Sequence, residues 1–328
     1  MRIEKFFAGL ALALAAAAGA APAIAADHGD TPNLIALARH DARISDLHVF
    51  RDGDNLVLAL STFPNLAALS YRFPSDLTLR LHIDNHSAVS FDNPVDNAQF
   101  GGTIVDPEGV GADITLTFTF DRNGTLELAT SGLSGRQEKN IKLFAGMRDD
   151  PFIRGPQIGR NVAAIVVEFP LADALGEKPQ KKKRKPKAKP ENKTLLVWAT
   201  SDVPDIAGPY SELGARALRS QCPQPVCVGV DGADLNLRNE TSPHQYALLL
   251  NLRPDVVIYD ASRPAAFPNG RALTDDVVNL IAPFGQNILA NDYPCPSAND
   301  VPFLADFPYL APPQYGVAPP GPGPACPL

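Results

Sequence analysis

The sequence is poor in the patterns that announce a reaction. It contains no G-x-S-x-G elbow, no H-E-x-x-H helix, no Walker loop and no dinucleotide-binding fingerprint. Their absence removes the usual sequence grounds for a serine hydrolase, a zinc peptidase, a nucleotide hydrolase or a dinucleotide enzyme. Ser, His and Asp occur, but no spacing places them together as a triad. The single tryptophan, Trp198, sits inside an apolar run and reads as core, not as a sugar-stacking platform. Beyond residue 25 no apolar stretch approaches the roughly 20 residues that a membrane-spanning helix needs. No internal repeat is visible, and helix-friendly stretches are few. Proline, by contrast, reaches 32 of 328 residues, which favours strands and turns over a helical bundle.

Cysteine is scarce, and its four positions fit an oxidising compartment. Residues 1–25 read as a secretory signal: Arg2 and Lys5 give a basic start, Phe6–Ala18 an apolar run, and Ala23-Ile24-Ala25 a small-x-small cleavage site. The expectation is an exported protein, periplasmic or extracellular. An even number of cysteines there suggests two disulfides among Cys222, Cys227, Cys295 and Cys326. Three pairings are open. Close spacing favours Cys222–Cys227, which leaves Cys295–Cys326 to tie down the tail. C-x4-C without a nearby histidine is poor zinc spacing.

Basic residues are concentrated in one place. Gly176–Lys193 holds nine basic and two acidic side chains, while the whole chain has a net charge of −7. The rest is therefore strongly acidic, and nucleic acid is not an expected partner. The run KPQKKKRKPKAKPENK, Lys178–Lys193, is low in complexity and self-repelling. It reads as a solvated, disordered insertion (177–193) between two neighbouring strands, with contact to an anionic surface as the functional alternative.

Strand signals fill the chain between residues 40 and 202. Leu47–Phe50 and Leu56–Thr62 flank a turn-rich Arg51–Asn55 connection. Leu77, Leu79, Leu81 and Ile83 alternate with Thr78, Arg80 and His82, placing His82 on a wet face. Ile114–Phe120 alternates cleanly, Asp121–Gly124 supplies a hairpin turn, and Thr125–Thr130 returns. Ile141–Ala145, the near-continuous apolar run Val162–Phe169, and Thr194–Thr200 follow. Such a run is expected of a strand covered on both faces. Beyond Asp205 the period changes, and Ser211–Arg219, His244–Leu252 and Thr274–Phe284 read as short helices in a loop-rich part (203–310) ahead of a proline-rich tail (311–328). The fold class is mainly β: an antiparallel β-sandwich with short helices and irregular segments added in the C-terminal part.

An ordered set of short motifs resembles a bacterial exported family known as domain of unknown function 4331. They are His28-Gly29-Asp30-Thr31-Pro32, Asp46-Leu47-His48-Val49-Phe50, Ile83-Asp84, Ala145–Phe152, Asn161–Pro170, Val197–Thr200, Pro254-Asp255 with Tyr259-Asp260, Asn269-Gly270-Arg271 with Asp275-Asp276, and Phe307–Leu310. The resemblance spans residues 26–310 as a single domain. The opening motif departs from the family pattern, with Asp30 where Glu is usual, and the basic insertion is peculiar to this chain. The resemblance implies compartment and fold more than activity. A more distant, fold-level similarity extends to family-nine carbohydrate-binding modules and DOMON-type sandwiches, which bind sugars or haem.

Several polar positions could carry chemistry. His28 and Asp30 offer an imidazole and a carboxylate near the expected mature start. His82, Asp84 and His86 share one face if the strand continues, a donor set suited to a divalent transition metal. Asp84, Asp92 and Asp96 with Asn85, Asn93 and Asn97 form an oxygen-rich loop without regular calcium spacing. Asp149 and Asp150, beside Arg148, Arg154 and Arg160, fit an ion-paired structural corner as well as a substrate or metal contact. Asp275 and Asp276 fit the cap of a helix start. The metal candidates are thus His28, Asp30, Asp84, Asp149 and Asp150. The expected function is a non-enzymatic exported protein that binds an unknown ligand or protein partner, with a divalent metal ion at its loop-rich edge. The alternatives are a metal-dependent hydrolase using His28, Asp30, Asp84 and Asp149, and a haem-binding electron-transfer module with Met147 and a histidine as axial ligands.

Overall fold

The computed structural model describes residues 34, 37–66, 70–106, 109–153, 159–177, 193–204, 210–212, 256–277, 280 and 298–316. The expected signal, His28 and Asp30, the four cysteines, most of the basic run, and the helix expected at His244–Leu252 lie outside them.

Alternation and turns are realised as two antiparallel sheets face to face. The first has the order β1 (Ile44–Asp52), β2 (Asn55–Thr62), β9 (Asn161–Pro170), β8 (Lys142–Asp149). The second runs β11 (Tyr210–Glu212), β10 (Thr194–Asp202), β3 (Thr78–Asp84), β6 (Ile114–Phe120), β7 (Leu126–Ser131). In it β12 (Val257–Asp260) pairs with Thr194–Val197 of β10, while β11 pairs with Ala199–Ser201. A two-stranded ribbon, β4 (Val89–Ser90) and β5 (Thr103–Ile104), lies on either side of α1 (Pro94–Phe100). Two single-turn helices, α2 (Gly135–Glu138) and α3 (Leu171–Ala174), follow β7 and β9.

Between the sheets, Leu47, Val49, Leu58, Leu60, Ile165 and Val167 from the first meet Leu79, Leu81, Ile83, Leu116 and Phe118 from the second, all buried. The outer face of the first sheet is also covered. Val57, Ala59, Val162, Ala164 and Val166 form a second core with Leu273, Tyr309 and Leu310, and Phe303 and Phe307 pack at its margin. This explains the continuous apolar run of β9. Odd and even positions both face protein, so alternation has nothing to distinguish.

Three expectations need correction. His82 is buried, stacked on Trp198 at a centroid distance of 5.1 Å, with ring nitrogens 3.0 Å from Thr200 Oγ1 and 3.3 Å from Thr115 Oγ1. Burial, helped by Arg80, pushes its pKa down to about 4. Alternation assigns a residue to a face; it does not say whether that face is wet. The helix expected from Ser211 begins instead as β11, because the open edge of β10 accepts Tyr210–Glu212 as a ladder partner. The strands flanking the basic run, β9 and β10, are consecutive but sit in different sheets, so the run bridges the two layers.

Candidate functional site

The charged side chains with ligand-type atoms converge at the end of the sandwich where β3 finishes. Asp84 ends β3 with no exposed surface. Its Oδ1 accepts the N–H groups of His86 (3.0 Å) and Ser87 (2.8 Å), and its Oδ2 accepts the Ser87 hydroxyl (2.6 Å) and the Gly111 N–H (3.0 Å). These bonds wrap the loop after β3 around the carboxylate. Asp113 sits just ahead of β6 and continues the ladder, its N–H bonding to Ile83 O at 2.9 Å. Its Oδ2 accepts the Asn85 N–H (2.8 Å) and lies 2.6 Å from His86 Nδ1. One ligand atom from each of Asp84, His86 and Asp113 lies within 4.8 Å of the other two. The bond to Asp113, reinforced by Asp84, holds the His86 pKa above its ordinary value. The loop turns at Asp84, so His86 leaves the strand line that it would have shared with His82.

Beside this cluster opens a cavity of about 550 Å³, lined by the side chains of Asn85, Asp113, Arg136, Gln137, Asp173 and Glu177 among others. A capping box on Ser134 and Gln137 fixes α2 at one wall. Gln137 Nε2 also donates to Asp173 at 3.0 Å, and Asn85 Nδ2 to Ala174 O at 2.9 Å, joining the two sheets around the opening.

Asp149 and Asp150 lie elsewhere. Asp149 pairs with Asn161 at the start of β9, whereas Asn85 is tied to the chain just past Pro170 at its end. At about 3.3 Å per residue, ten-residue β9 separates Asp149 from Asp84 by roughly 30 Å. Of the arginines expected to pair with Asp149 and Asp150, Arg154 lies outside the described residues, and no described cation forms an ion pair with Asp149. Asp149 Oδ2 accepts from Asn299 Nδ2 and Oδ1 from Gln314 Nε2, both at 2.7 Å. Arg148 turns away, its guanidinium 3.9 Å from the centre of the Phe144 ring and donating to Met147 O. Asp150 Oδ1 accepts the Phe152 N–H at 3.1 Å. Asp275 serves the loop before it, accepting the Phe267 and Ala272 N–H groups, and not a helix end. Asp92 and Asp96 bond to Ser90 and Thr103 within the α1 region.

Sequence reasoning missed two features. Asp113 left only the faint signal of a carboxylate one residue ahead of an alternating strand. The other is a buried charge group. Arg271 and Asp46, both without exposed surface, approach to 2.6 Å. Val49 and Arg271 exchange both backbone hydrogen bonds at 2.9 Å. His48 lies beside them, fully buried, with neither ring nitrogen hydrogen-bonded among the described residues. Burial first, and Arg271 second, hold its pKa well below the ordinary value, so the ring is neutral. The two segments concerned, Asp46–Phe50 and Asn269–Arg271, were each visible as motifs; their meeting was not. Comparison with protein-family models, curated proteins and solved structures returns no match.

Proposed function

We propose that the protein is a non-enzymatic binding protein, exported as the resemblance to domain of unknown function 4331 implies. It holds a divalent transition metal at His86 and Asp113, with Asp84 as a third ligand when the Ser87 hydroxyl turns away. The adjoining cavity receives the ligand. The observation that carries this reading is the convergence of one imidazole and two carboxylates within 4.8 Å, one of which, Asp113, also lines the adjoining cavity. Nitrogen with carboxylate oxygen suits zinc or manganese better than calcium, which prefers an all-oxygen shell. The loop amides on Asp84 fix the ligand set in advance. The same reading includes removal of residues 1–25, two disulfides among the four cysteines, and contact of the Lys178–Lys193 run with an anionic surface.

The other two readings have less support. A hydrolase using Asp84 and Asp149 together meets the length of β9 between them. Haem ligation by Met147 and His48 meets the sheet itself, because Met147 faces the inner core while His48 pairs with Ala59 on the outer face.

Metal and proton compete for His86. Titration of the metal-stripped protein with zinc at pH 7.5 is therefore expected to show one site. Affinity should fall about tenfold per unit as pH drops below the raised His86 pKa. His86→Ala and Asp113→Asn should each abolish the site while leaving the fold intact. No binding, or binding untouched by both variants, overturns the reading.

A further inference from the structure

We propose that segment 298–316 is an acid-favoured clasp on the outer face of the first sheet, with Asp149 as its proton-sensitive catch. The segment covers an apolar face, laying Phe303, Phe307, Tyr309 and Leu310 against Val57, Ala59, Val162, Ala164 and Val166. Polar fasteners hold its two ends, and they converge on Asp149. Gln314 bridges two carboxylates, its Nε2 donating to Asp149 Oδ1 at 2.7 Å and to Asp300 Oδ2 at 2.9 Å. Asn299 donates to Asp149 Oδ2 at 2.7 Å. Asn161 fixes the Gln314 backbone through bonds of 2.8 and 2.9 Å, and the Asp149 N–H bonds to Ala311 O at 3.2 Å.

Among the described residues the charges that act on Asp149 share its sign: Asp150 follows just past the end of β8, and Asp300 stands on the clasp. Among the described residues no cation forms an ion pair with Asp149. The Arg148 guanidinium goes to Phe144 and Met147 O, and the Arg160 guanidinium donates to Asn65. Tyr315, the remaining titratable group of this end of the clasp, is exposed and interacts with Arg148. Asn299 Oδ1 is buried and has no donor among the described residues. It belongs to the amide already touching Asp149, so turning that amide over would offer a protonated Asp149 an acceptor, at the expense of the 2.9 Å bond from Asn299 Nδ2 to Val301 O.

Burial pushes the Asp149 pKa up to about 7 against the opposing pull of the Gln314 and Asn299 bonds, with Asp300 and Asp150 adding to the rise. A folded-state pKa above the unfolded value means that the docked clasp binds the proton more tightly than the released one. Stability from this group is present at low pH and falls as pH rises from about 4 through about 7. Acid tightens the clasp and alkali loosens it.

Hydrogen exchange of residues 298–316 in the full chain, corrected for intrinsic rates, tests this. Protection is expected to fall at least about tenfold between pH 5.5 and pH 8.5. Asp149→Asn, which removes the titration, should flatten that dependence. Infrared difference titration should show one carboxyl protonating near pH 7 that vanishes in Asp149→Asn. Protection that does not change with pH in the wild type, equal dependence in the variant, or no such carboxyl overturns the proposal.

Discussion

Arg271 shows how much one residue can organise. Desolvating a guanidinium costs several kcal/mol, and the Asp46 carboxylate at 2.6 Å offsets that only while both charges remain. Asp46→Ala should therefore cost about 3–5 kcal/mol in urea unfolding by removing the carboxylate paired with the buried cation. A double replacement of Asp46 and Arg271 by apolar residues of similar volume should recover most of that loss. A double variant as unstable as the single one would show that the pair does more than neutralise itself. Gly270, beside it, has φ +68°, and a Cβ there would lie 2.6 Å from Val49 O and 2.9 Å from the Tyr259 ring. Gly270→Ala should open the contact that splices Arg271 onto β1 and lower the melting midpoint by several degrees.

At the scale of elements, β9 sets the plan. Its inward residues Ala163, Ile165 and Val167 belong to the core between the sheets, and its outward residues Val162, Ala164 and Val166 to the core beneath the clasp. Deleting the outward methyls in Val166→Ala is expected to cost about 1–3 kcal/mol. It should also raise the exchange of Tyr309 and Leu310 selectively, leaving β3 and β6 protected. Loss of protection spread evenly over both sheets would contradict the division into two cores. The strands were legible because period-two alternation, Asn-Gly turns and apolar runs are local signals. What covers a strand's outward face is not local. For that reason β9 was read correctly as covered while His82 was read as wet. Asp149 stood out in the sequence beside its arginines, but its partners Asn299 and Gln314 lie more than a hundred residues downstream, where spacing gives no guidance. Asp84 was visible from its neighbours in sequence; Asp113 joined it only through the β3–β6 ladder.

At the scale of the whole, the described residues form a sandwich whose first sheet is covered on its outer face by segment 298–316. Tyr309 reaches Glu168 at 2.7 Å and Asp52 at 3.0 Å, with one hydroxyl proton for two carboxylates. Those contacts, with Leu310, seal the outer face of the first sheet. A chain ending at residue 297 should retain both sheets by far-ultraviolet dichroism yet bind a hydrophobic dye that the full chain excludes. Absence of dye binding would show that the face is protected by something other than the clasp. No helix among the described residues is long and apolar enough to cross a membrane.

The pairing of Val49 with Arg271 has a consequence for the order in which the chain is made. β1 and β2 can form a hairpin as soon as about sixty residues have emerged, but the edge of β1 waits for a partner synthesised more than two hundred residues later. Closing a loop of that length is slow compared with hairpin formation. During the interval an unpaired strand edge and a bare apolar face are available to any neighbouring chain. The protein is thus vulnerable to association while it is still nascent, and assembly becomes safe only once its last hundred residues have arrived.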